Sequence, residues 1–389
     1  MTGRCAPQAT ASEEATCAGR GTASIISYRV SAVLSGLFQY SFLALKSVIL
    51  GQRPVLSRRL INIVYSDNGA GLSRDAVVIR EALRSAGHRV SMTPRAPRKF
   101  PIALNFAPEL ALQTVRGTRQ VVIRGWSRRF RRWDINIFLE RLVPEYMDCA
   151  RVNCLFTHQE WLTPEDRALL GSIDAVLFKT QHALELLRAE TKAALFVGFT
   201  SPDRKDDTVS RRWDALHVAG WNPHKGTNAT LQSWLRRPNW PLLTVVSQVD
   251  LSGVTGPNVE QISTRVSDIQ LRHLQNERIV HVCPSEVEGF GHTLMEALSC
   301  GAIVVTTAAP PMDELVTPDE GFLVPYADTA AMGAGTRYLV NADGLSSVLD
   351  LVWSTPDRKR VEMQKAARAR YEALRADFHK RFAQLIQDI

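Results

Sequence analysis

Short apolar segments alternate with helical segments twice along this chain of 389 residues, and this repetition constrains the fold more than any other feature. The first series opens with an apolar run at residues 60–65 and a glycine-bearing turn at 67–71. A helical pattern at 74–86 then ends at Gly87. A polar stretch at 201–212 separates this series from a second one. Because strand–helix–strand units place their strands in parallel, the sequence predicts two doubly wound α/β domains facing a ligand cleft.

Both series contain further expected elements. In the first, strands are expected at 88–92, 101–106, 120–124, 134–139, 152–157 and 174–178. In the second, strands are expected at 215–219, 241–247, 278–283 and 302–306, and helices at 227–236 and 292–300. We therefore expect two domains, an N-terminal domain at 59–205 and a C-terminal domain at 206–370. They are preceded by a tail at 1–24 that is expected to be disordered and by an amphipathic helix with linker at 25–58. They are followed by a helix at 371–389 that could return to the N-terminal domain.

Composition excludes several classes of protein. Hydrophobic residues make up 45% and charged residues 22% of the chain, which excludes a wholly disordered chain, a collagen-like fibre and a polytopic membrane protein. The net charge of +8 favours an anionic partner, namely a nucleotide, a phosphate, a membrane surface or a nucleic acid. The six cysteines lack zinc-site spacing, so we interpret them as reduced thiols of a cytoplasmic protein, four of them in apolar segments.

Two segments favour contact with an anionic membrane surface. Residues 25–50 carry apolar residues at helical spacing and no charge between Arg29 and Lys46, which suits a helix lying on a membrane. Packing on the protein body and a true membrane span are the alternatives. Residues 124–133 interleave five arginines with three aromatic residues, which suits anionic lipid or a phosphate-bearing acceptor. A solvated basic loop is the alternative there, and nucleic acid is the less favoured partner. The expected location is the cytoplasm, with peripheral attachment to the inner face of the membrane.

The most informative segment, at residues 284–301, runs from a predicted strand through a glycine loop into a helix. Gly289 and Gly291 let the backbone approach a ligand, and amide groups at the start of the helix can hold a phosphate. Glu288 lies in the loop, and Glu296 follows about two helical turns later. Each carboxylate can accept hydrogen bonds from two hydroxyls, so the pair suits a sugar and a ribose flanking a diphosphate. The alternative is an ordinary strand-to-helix turn whose acids cap the helix.

This segment resembles the Glu-x7-Glu motif of retaining glycosyltransferases with the GT-B fold, in particular the glycogen-synthase-like family 4. The similarity covers Pro284-Ser285, Glu288-Gly-Phe-Gly291, Glu296-Ala297 and Gly301, and it continues through 310–316 and 321–325. The resemblance implies two Rossmann-like domains, a nucleotide-diphosphate sugar as donor, retention of anomeric configuration, and no metal or other cofactor.

The same resemblance implies roles for individual residues of this segment. Glu288 would position the donor sugar and Glu296 would hold the ribose. The amides near Gly289, Phe290 and Gly291 would stabilise the leaving diphosphate, with Glu314 as a further donor-side residue.

A second element of the resemblance lies at residues 217–226. In the family, the first strand of the C-terminal domain is followed by a glycine and later by a Lys-Gly pair, whose lysine contacts the donor diphosphate; Gly220 and Lys225 match. A fixed cation there would offset the charge that builds on the leaving diphosphate. The chain departs from the family at Trp221, where an arginine is common, and its loop is one residue shorter. Either another cation substitutes or diphosphate binding is weaker.

The N-terminal domain resembles the family more loosely. Gly69 and Gly71 match the glycine loop on the acceptor side. His158 ends a strand, and in the family a histidine at such a place approaches the donor sugar; a structural histidine is the alternative. Glu140 also ends a strand and would either bind acceptor hydroxyls or pair with an arginine. Lys179 is a further candidate at the cleft.

The resemblance thus implies an enzyme that moves a hexose from a nucleotide-diphosphate sugar to the hydroxyl of a lipid-linked or polysaccharide acceptor. His158, Glu288 and Lys225 are the catalytic candidates. The alternatives are a sugar-nucleotide epimerase or phosphorylase of the same fold, and a non-catalytic nucleotide-sugar-binding or membrane-scaffold protein. The sequence contains no Asp-x-Asp, P-loop or Gly-x-Ser-x-Gly pattern, which argues against a metal-dependent transferase of the other common fold, a P-loop enzyme and a serine hydrolase.

Overall fold

The computed structural model describes residues 58–69, 71–95, 132–249, 251 and 256–389. Several predictions fall outside these described residues, namely the tail at 1–24, the amphipathic segment at 25–50, the strands at 101–106 and 120–124, and most of the basic–aromatic segment at 124–133. The membrane contacts expected from two of these segments therefore stay predictions.

The N-terminal domain is built on a sheet of six parallel strands in the order β2-β1-β3-β4-β5-β6. The strands are β1 (Leu60–Ser66), β2 (Arg89–Arg95), β3 (Trp133–Leu139), β4 (Ala150–Phe156), β5 (Ala175–Phe178) and β6 (Ala194–Phe196). The helices are α1 (Gly71–Ser85), α2 (Pro144–Met147), α3 (Pro164–Ala168) and α4 (Gln181–Leu187). Ile61 and Val64 on β1 point to opposite faces and are both buried, because this parallel sheet is covered on both faces.

The C-terminal domain repeats this design with six parallel strands in the order β12-β11-β10-β7-β8-β9. The strands are β7 (Arg212–Gly220), β8 (Leu243–Ser247), β9 (Val259–Ile262), β10 (Arg278–Cys283), β11 (Ile303–Thr307) and β12 (Gly321–Val324), and an antiparallel hairpin adds β13 (Asp328–Met332) and β14 (Gly335–Leu339). The helices are α5 (Thr227–Leu235), α6 (Asp268–Glu277), α7 (His292–Ser299), α8 (Met312–Leu315), α9 (Ala342–Trp353) and α10 (Asp357–Asp388). The predicted pair of doubly wound α/β domains is confirmed.

The C-terminal helix α10 packs on both domains. Its Tyr371 hydroxyl donates to the carbonyl of Ser201, and the Phe382 ring lies 5.8 Å from the ring of Phe156 on β4. One apolar core includes side chains from β1, α7 and α10, because this helix closes the space between the sheets. No helix within the described ranges is long and apolar enough to cross a bilayer.

The buried cysteines are inert thiols. Burial raises the pKa of Cys154, Cys283 and Cys300 to about 12, so that the thiolate form is suppressed at neutral pH. These cysteines pack as small apolar side chains.

Candidate active site

A buried acid joins three basic side chains at the carboxyl end of the first sheet. Asp75 on α1 is 1% exposed and accepts a hydrogen bond from the Lys179 ammonium, which lies just after β5. The Nε2 atom of His292, at the start of α7, lies 2.8 Å from Asp75 Oδ1, and His158 Nε2 lies 3.3 Å from Asp75 Oδ2. Since His292 belongs to the C-terminal domain, this acid links the two domains.

His158 lies between two carboxylates. Its Nδ1 atom is 3.6 Å from Glu140 Oε2, and its Nε2 atom faces both Asp75 and the Lys179 ammonium, which is 2.6 Å away. Burial and Lys179 lower the pKa of His158, but the hydrogen bonds to Asp75 and Glu140 outweigh them and raise it above its usual value. When charged, the ring can donate to both carboxylates, from Nε2 to Asp75 and from Nδ1 to Glu140.

Glu140 holds an unusual backbone conformation beside this histidine. Among the described residues it is the one non-glycine with a positive φ, at 68°. Such a conformation costs free energy for a residue with a side chain, and strained residues of this kind cluster at active sites and ligand clamps. Glu140 also pairs loosely with Arg141, whose Nε lies 3.7 Å away. Glu140 thus contacts both an arginine and the histidine of the site.

The Glu288 loop lies next to Lys225, because the loop follows β10, Lys225 follows β7, and these two strands are neighbours in the sheet. The Lys225 ammonium lies 2.5 Å from Glu288 Oε1, and both side chains are largely buried. The backbone carbonyl of Glu288 accepts a hydrogen bond from Gln159 Nε2 at 2.9 Å. The predicted donor-side acid and cation therefore share one corner, and the turn that follows His158 contacts it.

Gly289 shows how closely the two domains approach here. A Cβ atom at this position would lie 2.5 Å from Glu160 Oε1 and 2.9 Å from His158 Cδ2. Only a glycine fits without displacing one of those side chains. Gly291 has a φ of 114° and is the N-cap residue of α7, so this helix begins without a capping side chain. Phe290 is buried, with its ring 5.2 Å from that of Phe199.

The second acid of the motif has its own partners. Glu296 is buried on α7, where its Oε1 atom lies 3.0 Å from Arg74 on α1 and its Oε2 atom accepts from Gln275 at 2.7 Å. Arg74 reaches it from the N-terminal domain. A ribose at Glu296 would therefore have to displace this arginine or share the carboxylate with it.

The remaining predicted residues lie at the edges of this region. Glu314 accepts hydrogen bonds from the backbone amides of Gln181 and His182, so it caps α4 across the domain boundary rather than standing free at the donor side. Gly69 follows β1, and its amide donates a hydrogen bond to Ser73 Oγ at 2.9 Å. The other predicted glycines lie at the first residue of α1 (Gly71) and at the end of β7 (Gly220).

Sequence reasoning did not identify Asp75, Arg74, His292 or Glu160 as site residues. A signal for Asp75 exists, because it lies on the apolar face of α1 together with Leu72, Ala76 and Ile79. A charged side chain on a buried helix face needs a partner, which marks it as a candidate. Arg74 and His292 carry no comparable local signal.

Glu160 is the least compensated acid of the region. It is 7% exposed, and its Oε2 atom has no hydrogen-bond partner. Burial raises the pKa of Glu160, although His158 opposes the effect. A carboxyl of this kind is available to a ligand.

Comparison with known proteins finds a family match within the C-terminal domain. Residues 257–368 match the family model "Glycosyl transferases group 1", a range that contains Glu288, Glu296 and Glu314. A relative from Xanthomonas oryzae pv. oryzae, named as a GDP-mannose:cellobiosyl-diphosphopolyprenol alpha-mannosyltransferase, is 29% identical over 150 residues. That match covers 35% of this chain and 36% of the relative, so it spans about a third of each protein.

Solved structures resemble the chain over most of its length. A sucrose-phosphate synthase from Thermosynechococcus elongatus is 16% identical, with a TM-score of 0.64 over 85% of this chain and 99% of that chain. A second structure is that of the Anabaena protein HepE in complex with UDP-glucose, which is 13% identical. Its TM-score is 0.58, and the match covers 85% of this chain and 100% of that chain. These likenesses show a common fold. The chain therefore has the GT-B fold, as predicted, and residues 257–368 of its C-terminal domain are similar to the glycosyltransferase group 1 family.

Proposed function

We propose that this protein is a retaining, metal-independent glycosyltransferase that moves a hexose from a nucleotide-diphosphate sugar to an acceptor hydroxyl in polysaccharide or glycolipid synthesis. The observation that carries the proposal is the corner formed by Glu288, Lys225 and the start of α7, which lies largely within the segment that matches the glycosyltransferase family. A doubly wound fold binds its ligands at this end of its strands.

The corner supplies the groups that the transfer needs. Charge builds on the diphosphate as the bond to the sugar breaks, and a fixed ammonium together with backbone amides stabilises that charge. Lys225 and the uncapped first turn of α7 provide them. Glu288 would accept hydrogen bonds from the sugar, and Glu296 would accept them from the ribose. His158 would lie by the reacting carbon, since its ring packs against Gly289 of the loop.

The names of relatives support the choice of donor and acceptor. The Xanthomonas protein is named for GDP-mannose and for a lipid-linked diphosphate acceptor, and the Anabaena structure holds UDP-glucose. For this chain we propose a nucleotide-diphosphate hexose and a lipid-linked or polysaccharide acceptor. The basic composition of the chain suits the anionic donor and, among these acceptors, a lipid-linked diphosphate.

The test is turnover of UDP-glucose and GDP-mannose by the full chain, with and without polyprenyl-diphosphate-linked sugars as acceptors, followed by mass spectrometry. We expect transfer that depends on the acceptor, and a product of unchanged anomeric configuration by NMR. Lys225→Ala and Glu288→Gln should each lower the rate by about 100-fold or more. The exposed controls Lys192→Ala and Glu165→Gln should not. Full activity in either site variant, or epimerisation of the donor in the absence of acceptor, would contradict the proposal.

A further inference from the structure

Buried polar atoms without a partner are concentrated where the turn after β4 faces the glycine loop. Among the described residues there are ten such side-chain atoms, and three of them belong to Thr157, Gln159 and Glu160. Two more belong to Ser285 and Thr293, on either side of the loop. Folded proteins bury few polar atoms without a hydrogen-bond partner. Five of the ten such atoms lie in this one region, which indicates that a ligand supplies the missing partners.

The turn that carries Glu160 is rigidly placed. A Cβ atom at Gly333, in the hairpin of β13 and β14, would lie 2.5 Å from the Glu160 carbonyl oxygen. The neighbouring Ala334 amide donates to the Gln159 carbonyl at 3.0 Å, and Gln159 Nε2 donates to the Glu288 carbonyl at 2.9 Å. The hairpin and the glycine loop thus fix this turn from both sides.

The Glu160 carboxyl points at the place where the donor sugar is proposed to bind. Both of its oxygens lie against Gly289, at 2.5 and 3.0 Å from where a Cβ would be, and His158 Cδ2 lies 2.9 Å from the same point. A diphosphate is a poor partner for an acid, whereas a hydroxyl can donate to a carboxylate or accept from a carboxylic acid. The sugar ring, rather than the phosphates, is therefore the part of the donor that suits this residue.

We propose that Glu160 is a specificity-determining residue of the donor site, whose Oε2 atom hydrogen-bonds to one hydroxyl of the transferred hexose. This assignment rests on the proposed function. It distinguishes Glu160 from Glu288, whose carboxylate already has the Lys225 ammonium as partner.

The experiment is a double-mutant cycle on the full chain, with whichever of UDP-glucose and GDP-mannose the wild type uses and with its monodeoxy sugar analogues. We expect kcat/KM of the wild type to fall about 10- to 100-fold with one analogue. Glu160→Ala should lower the rate with the parent donor by a similar factor and show no further loss with that analogue. Glu160→Leu, which has a similar size but no hydrogen-bonding group, tests the same point if the alanine variant does not fold. The exposed control Glu165→Gln should behave as the wild type.

The outcomes separate this assignment from the proposed function. If the wild type turns over a donor but the losses from Glu160→Ala and from every deoxy analogue simply add, the hydrogen bond does not exist and the assignment is wrong. If the wild type neither turns over these donors nor binds UDP or GDP by calorimetry, the proposed function is wrong and the assignment falls with it.

Discussion

The buried ion pair between Asp75 and Lys179 offers a quantitative test of how the two domains hold the site. Both side chains are 1% exposed, and His292 adds a hydrogen bond of 2.8 Å to the same carboxylate. Asp75→Asn keeps the size of the side chain but leaves the ammonium buried without a counter-ion. Removing one partner of a buried pair costs about 3–5 kcal/mol, so we expect the free energy of unfolding to fall by that amount.

Urea unfolding followed by circular dichroism measures this loss. With a slope of about 3 kcal/mol per molar, the midpoint should fall by about 1–2 M. The control is Asp377→Asn, which removes one partner of an exposed pair on α10 and should cost less than about 1 kcal/mol. If Asp75→Asn differs from the wild type by no more than this control, Lys179 does not depend on Asp75 and the reasoning fails.

The same acid predicts a pH dependence. Burial alone would raise the pKa of Asp75, but Lys179, His158 and His292 together hold it well below its usual value. An acid whose pKa is lowered by folding stabilises the protein above its unfolded pKa, about 3.9, and this contribution is lost as the pH falls below that value. Asp75→Asn should therefore flatten the stability profile below about pH 4.

Three further changes test other contacts of the site. Gly226→Ala places a Cβ 2.2 Å from the carbonyl oxygen of Pro284, at a φ of 70°. An alanine in the left-handed region costs about 1–2 kcal/mol by itself, so this variant should lose more than that amount of stability. The control Gly87→Ala has a φ of 86° but open space around the Cβ, so thermal unfolding should show a loss of about 1–2 kcal/mol only. Burial raises the pKa of Glu160, so Glu160→Gln should be more stable than the wild type at pH 7 by an amount that vanishes below about pH 4, and equal stability at pH 7 would contradict this. Glu314→Ala removes both hydrogen bonds to the first amides of α4 and should lower stability by about 1 kcal/mol in urea, and an unchanged midpoint would show that this cap contributes nothing.

The elements that the sequence predicts well are the fully buried ones. The expected strand at 278–283 coincides with β10 at both ends, because an apolar β-branched run stops at Pro284. In contrast, β9 and the hairpin of β13 and β14 are not predicted. Their residues are mostly half-buried or exposed, so they lack the apolar run on which recognition of a strand depends.

The candidate site divides in the same way between local and distant information. Glu288, Gly289 and Glu296 lie in one segment, so their spacing alone identifies a loop that leads into a helix. The partners that compensate these residues come from elsewhere in the chain: Arg74 lies in the other domain, and Lys225 follows a different strand. Spacing carries no information on such pairs, because they exist only once the two sheets have been placed side by side.

The pairing of charges in this corner bears on the departure from the family at Trp221. The Trp221 side chain is 74% exposed and supplies no cation, but Arg74 brings one from the N-terminal domain to Glu296, just as Lys225 does to Glu288. In the proposed function, hydroxyls of the donor would replace the two cations at the carboxylates, and the diphosphate would take up the released cations. A sugar nucleotide can offer hydroxyls to the two acids and phosphates to the two cations, so no buried charge is left without a partner. Inorganic phosphate offers only the anionic half of this exchange, so binding it would leave two buried acids uncompensated, and the corner should discriminate strongly against it.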